Sequence, residues 1–169
     1  MTKPDTSVAA AAPRTSVAAA APLTFAEAQS LAERVAAEMF ARDRASQAMG
    51  MRIANVGPGR AELTMKVRAD MLNGHATCHG GLIFTLADSA FAFACNSANL
   101  TTVASGCSID FITPAREDDV LTAIGQERSL SGRTGVYDIE VRNQRGETVA
   151  LFRGRSHRIK GHVIAEVAP

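Results

Sequence analysis

Cysteine is scarce in this 169-residue chain: Cys78, Cys95 and Cys107 are the only three. An odd number without regular spacing excludes a disulfide framework and reads as reduced thiols in a cytoplasmic protein. Long apolar runs are also missing. No stretch approaches the ~18–20 residues that cross a bilayer, so no membrane partner is expected. Neither sign of charge dominates, with 18 Lys and Arg against 17 Asp and Glu and a formal net charge of +1. Bulk electrostatics therefore gives no reason to expect a nucleic-acid partner. A continuous apolar secretion segment is absent as well, because Pro4, Pro13 and Pro22 interrupt the Ala-rich start and Lys3 is its sole opening cation. Export is not expected.

What is present fits one globular domain: 46% apolar and 21% charged residues. The segment TSVAAAAP occurs twice, at Thr6–Pro13 and Thr15–Pro22. Lacking large apolar side chains, it cannot repay the entropy of ordering. Residues 1–22 are therefore expected to be a disordered tail, and 24–165 the folded domain.

Thr24 followed by Glu27 has capping-box spacing. Phe25, Ala28, Leu31, Ala32, Val35 and Met39 then recur at helical intervals. Met51–Val56 reads as a strand, and Gly57-Pro58-Gly59 as a turn. Ala61, Leu63, Met65 and Val67 alternate with polar residues, the pattern of a half-buried strand. Gly80–Ser97 is apolar on nearly every face, which predicts a buried helix. Strands are expected at Val103–Ile112, Val120–Arg128, Gly135–Arg142 and Val149–His157. One core accommodates that order if an antiparallel sheet wraps around one long central helix, an α+β fold.

The chemistry concentrates in Met71–Asn96, MLNGHATCHGGLIFTLADSAFAFACN. A helix N-terminus leaves amides unpaired at the positive end of the macrodipole. Glycines there let another molecule approach, so Gly80 and Gly81 are candidate donors to a developing oxyanion. A tight turn that simply needs glycine explains them equally well. Asp88 is the single acid between Gly80 and Asn96. A carboxylate on an apolar helix is either satisfied by a neighbouring hydroxyl, Ser89 or Thr85, or kept for function. Eight residues separate Gly80 from Asp88, or ~12 Å along the axis. One subunit cannot aim both at one substrate. Two antiparallel helices about a twofold can, so joint action requires at least a dimer.

NGHATCHGG, LADSAFAFACN, SIDFITPA, TGVYDIEV and VALFRGRSHRI, in that order, resemble the phenylacetate-degradation thioesterases of the hotdog superfamily. The resemblance runs from about Thr24 to Ile164 and leaves out the repeated tail. It implies a hotdog fold, hydrolysis of phenylacetyl- or hydroxyphenylacetyl-type CoA esters, no cofactor, and a homotetramer of two dimers. It gives Asp88 the role of nucleophile or general base, Gly80 that of the amide polarising the thioester carbonyl, and Asn73 that of positioning substrate or water. It places His79 and Gly81 in the same substrate-contacting turn. Gly132, Arg133 and Thr134, with Ser156, His157 and Arg158, match the residues that grip CoA. Some relatives carry a hydroxyl residue one turn after the acid, where this chain has Ala92.

Other readings compete. His75, Cys78 and His79 form an H-x-x-C-H cluster, but zinc asks for a fuller ligand set and no second Cys/His cluster follows. Glycine spacing does not match a P-loop. A non-catalytic acyl-CoA-binding hotdog protein would not need Asp88 near the thioester. The hydratase branch of the fold uses an Asp–His pair that is not evident here.

Overall fold

The structure, a computed structural model, describes residues 22–165; apart from Pro22, the repeated tail lies outside them. Helix α1 spans Phe25–Arg42 and opens on the capping box anticipated from Thr24. The Thr24 hydroxyl accepts the Glu27 amide at 3.3 Å, and the Glu27 carboxylate accepts the Thr24 amide at 2.8 Å. A five-residue helix α2, Arg44–Ala48, follows and is N-capped by Asp43. It is too short to show periodicity, which is why the sequence pattern did not reveal it.

Strands β1 (Arg52–Gly57) and β2 (Arg60–Lys66) precede helix α3 (Gly80–Asn96). Strands β3 (Thr102–Phe111), β4 (Val120–Ser131), β5 (Thr134–Arg142) and β6 (Thr148–Arg158) come after it. The described residues form a six-stranded sheet in the order β1-β2-β4-β5-β6-β3, antiparallel throughout. Strand β4 runs past the expected Arg128 to Ser131, across a bulge between Glu127 and Ser129 that breaks the alternation on which a sequence pattern depends. The β4–β5 turn has Gly132 at φ +58°, a left-handed conformation that suits glycine.

Helix α3 lies across this sheet. Ala87, Ala90 and Ala94 are fully or almost fully buried along it, beside Phe91 and Phe93. Phe91 packs on Tyr137 at 5.4 Å and on Phe152 at 6.0 Å between ring centroids. Each such ring contributes about 2–3 kcal/mol by leaving water. The approach is close enough that a Cβ on Gly154 would stand 2.9 Å from the Phe91 ring. This antiparallel sheet around one long helix is the expected hotdog architecture. Among the described residues, no helix is long and apolar enough to cross a membrane.

Candidate active site

The loop entering α3 is held by backbone bonds before any side chain acts. The His79 amide donates to Met71 O at 2.9 Å, and the Cys78 amide to Ala115 O at 2.9 Å. Cys78 points into the core, 4% exposed, where burial pushes its thiol up to about 11. His75 and His79 remain exposed. The H-x-x-C-H run is thus split between core and surface, and does not converge on one point.

At the helix start, the Gly81 amide donates to His79 Nδ1 at 3.0 Å. The Leu82 and Ile83 amides reach the His79 carbonyl at 2.9 and 3.4 Å. Among the described residues, the Gly80 amide has no such partner. A Cβ on Gly80 would stand 3.0 Å from the Phe111 ring, so glycine is what lets that ring lie against the helix end. Beside it is a cavity of about 360 Å³ whose walls include Asn73, Gly80, Ile83 and Phe111. Asn73 Oδ1 accepts the amides of His75 at 2.9 Å and Thr77 at 3.3 Å, while Nδ2 donates to Thr77 Oγ1 at 3.0 Å. Asn73 therefore both folds this loop and retains one amide hydrogen at the cavity.

Asp88 is half-buried on α3 and does not line the Gly80 cavity. Neither hydroxyl that might satisfy it does so. Thr85 Oγ1 donates to Gly81 O at 2.8 Å, and Ser89 Oγ pairs with Ser46 Oγ at 3.0 Å. Among the described residues, Asp88 makes no hydrogen bond or ion pair. Burial, uncompensated, pushes its carboxyl above the ordinary value.

Known proteins with this pattern identify the family. The Thioesterase superfamily profile matches residues 75–150. Acyl-coenzyme A thioesterase PaaI of Escherichia coli is 53% identical over 128 residues, 76% of this chain and 91% of that protein. The chain belongs to the thioesterase superfamily. The solved structure of the E. coli PaaI protein, from the phenylacetic acid degradation operon, superposes on this thioesterase with a TM-score of 0.79. That match covers 79% of this chain and 97% of the other at 51% identity. A hypothetical thioesterase protein of Streptococcus pneumoniae, solved with coenzyme A, matches at TM-score 0.64 and 28% identity, over 66% of this chain and 88% of that one.

In this thioesterase the six residues matched to the CoA grip gather on the β4–β5 turn and the end of β6. The Arg158 amide donates to Arg133 O at 2.8 Å, and Arg133 Nε returns a bond to Arg158 O at 2.8 Å. Thr134 stands opposite His157 across the β5–β6 ladder. Gly132, Arg133, Ser156 and Arg158 line a cavity of about 410 Å³ together with Cys95 near the far end of α3. Ser156 is 1% exposed and its side chain is hydrogen-bonded with Tyr137, another wall residue of this cavity. Cys95 is fifteen residues beyond Gly80, ~22 Å along the helix.

Sequence reasoning had no means of finding two features. Phe111 over Gly80 brings together positions 31 residues apart. Capping by His79 uses a residue type outside the usual N-cap set. On α3, Leu86 is fully buried and Phe84 is packed edge-on against Phe152 at 5.3 Å, so neither ends at the Gly80 cavity. Phe111, 54% exposed, does meet it.

Proposed function

We propose that this enzyme hydrolyses phenylacetyl- or hydroxyphenylacetyl-type CoA thioesters to the free acid and CoA. The observation that carries the reading is a pair of unspent groups on α3: the unpartnered Gly80 amide and the unpartnered Asp88 carboxylate. The amide, at the positive end of the helix, is suited to the negative charge that builds on a thioester oxygen under attack. Ionised Asp88 takes a proton from a water whose oxygen attacks the carbonyl carbon, or itself attacks that carbon to give an acyl-aspartyl anhydride that water then hydrolyses. Collapse of the tetrahedral intermediate expels the CoA thiolate. Asn73, with one free amide hydrogen at the same cavity, orients substrate or water. The exposed Phe111 ring beside Gly80 suits an aryl acyl group, in keeping with the likeness to E. coli PaaI.

The two groups belong to a shared site, Gly80 from one subunit and Asp88 from its partner, in a dimer that pairs further into a tetramer. The nucleotide end of CoA is held by the Arg133 and Arg158 cluster. Single-turnover hydrolysis of a phenylacetyl-type CoA ester tests the reading. Folded Asp88→Asn keeps size and shape but loses both proton transfer and attack, and is expected to lose ~10²-fold or more in rate. A rate within a few-fold of wild type returns Asp88 to a structural role.

A further inference from the structure

We propose that His79 is the positioning residue of the oxyanion site, binding up the other amides of the first turn of α3 so that Gly80 alone is left to the substrate. The inference rests on Gly80 as the oxyanion donor. A helix start presents four amides without intrahelical partners. Here they belong to His79, Gly80, Gly81 and Leu82, while the Ile83 amide makes the first ordinary helical bond, to His79 O at 3.4 Å. His79 accepts from two of them: its Nδ1 from Gly81 at 3.0 Å and its carbonyl from Leu82 at 2.9 Å.

The two glycines therefore have separate reasons to be glycine. A Cβ on Gly80 would meet the Phe111 ring at 3.0 Å, and a Cβ on Gly81 would meet His79 Nδ1 at 3.2 Å. The first opens the site; the second lets the imidazole close over the helix end. His79 is in turn anchored by its own amide on Met71 O, and its backbone is extended, at φ −62° and ψ 130°, as an N-cap requires. Accepting through Nδ1 places the ring proton on Nε2. With Gly81 engaged, a thioester oxygen meets one directed donor instead of a pair that can share it in several poses, and the carbonyl is held in one orientation for Asp88.

Substitution separates this role from direct contact through Nε2–H. The side-chain oxygen of asparagine also accepts N-cap bonds, but asparagine has no imidazole. In steady-state hydrolysis, His79→Ala is expected to lower kcat about tenfold with KM within about twofold, a fraction of the ~10²–10³-fold cost of deleting a donor outright. His79→Asn is expected to recover kcat to within about threefold of wild type. In the ligand-free wild type, ¹⁵N spectroscopy should show His79 as the Nε2–H tautomer. Asparagine as impaired as alanine, a loss confined to KM, or an Nδ1–H tautomer overturns the proposal. Gly80→Pro gives the independent control. The preceding residue is already extended and proline suits a first helical position, so the backbone accepts the change. Because a Cβ there also meets the Phe111 ring, Gly80→Ala, which adds that Cβ but keeps the amide, is run beside it as the steric control. An active Gly80→Pro refutes the site reading itself. An inactive Gly80→Pro beside a fully active His79→Ala refutes only the positioning role.

Discussion

Gly80 and Asp88 share one helix, eight residues apart, and the ~12 Å of axis between them keeps one chain from placing both at a single carbonyl. The neighbouring strand β3 keeps pace with them. Phe111 lies against Gly80, while the charge of Asp88 is felt at Cys107, four residues earlier on β3. Four strand residues span ~13.5 Å, close to the helical separation. Strand β3 is a sheet edge, free to pair with a second copy. An antiparallel β3–β3 pair centred near Ile109 would set Cys107 of each chain opposite Phe111 of the other, and with them each Asp88 opposite a Gly80.

Such a dimer predicts complementation between two inactive variants. Asp88→Asn keeps an intact Gly80, and Gly80→Pro keeps an intact Asp88. A mixed dimer contains one native pair in two sites, so random reassembly of equal amounts should restore about a quarter of wild-type activity. Activity that stays at the level of the separate variants after subunit exchange, or an active monomer in light scattering, would rule out the shared site.

Burial without a partner makes Asp88 a cost to stability. Its folded pKa is raised, so its contribution is most favourable at low pH and is lost as pH rises through the folded value. The proposed mechanism uses the ionised form, so it predicts an acid limb of kcat above the ordinary carboxylate range. Asp88→Asn should therefore melt higher than wild type at pH 7, by a few °C for a domain of this size. The gain should vanish at acid pH where the wild-type carboxyl is protonated. Equal melting temperatures at pH 7 would contradict the uncompensated burial.

The arginines of the late strands should divide by their partners. Arg153 is held by Asp138 at 2.7 and 3.0 Å. Arg133 and Arg158 have no carboxylate partner among the described residues. Arg133→Ala or Arg158→Ala should raise KM for CoA esters several-fold at nearly constant kcat, the signature of lost uniform binding. Arg153→Ala should leave KM nearly unchanged. Comparable KM values for full CoA esters and truncated pantetheine esters in the wild type would show that these cations grip nothing.

Asp119 supplies a stability prediction away from the site. It is 3% exposed and accepts from Arg145 and the Arg116 amide at 2.8 Å each and from Gln144 at 2.9 Å. The hydrogen bond from Arg145 leads in holding its carboxyl down at about 2. A lowered folded pKa gives stability that is present above the ordinary carboxylate value and lost as pH falls through about 2. Allowing for the half-exposed guanidinium, Asp119→Asn should cost about 1–2 kcal/mol at pH 7 in denaturant unfolding. The difference should shrink toward pH 2. A constant difference across that range would assign the loss to packing.

The amino-acid sequence carries the local order. Thr24 and Glu27 set the start of α1, the alternation from Ala61 to Val67 set β2, and the unbroken apolar run after Gly80 marked the central helix, because each depends on neighbours a few residues away. It also exposed Asp88 as out of place, since one acid on an apolar helix is visible without coordinates. What these groups are free to do depends on contacts made across the fold. Thr85 and Ser89 are each engaged elsewhere, Gly81 by the imidazole of His79, and Gly80 is overlain by Phe111 from a distant strand. Hydrogen-bond capacity is assigned by whatever folding brings within about 3 Å. That assignment joins residues far apart in the chain, so no local pattern encodes it.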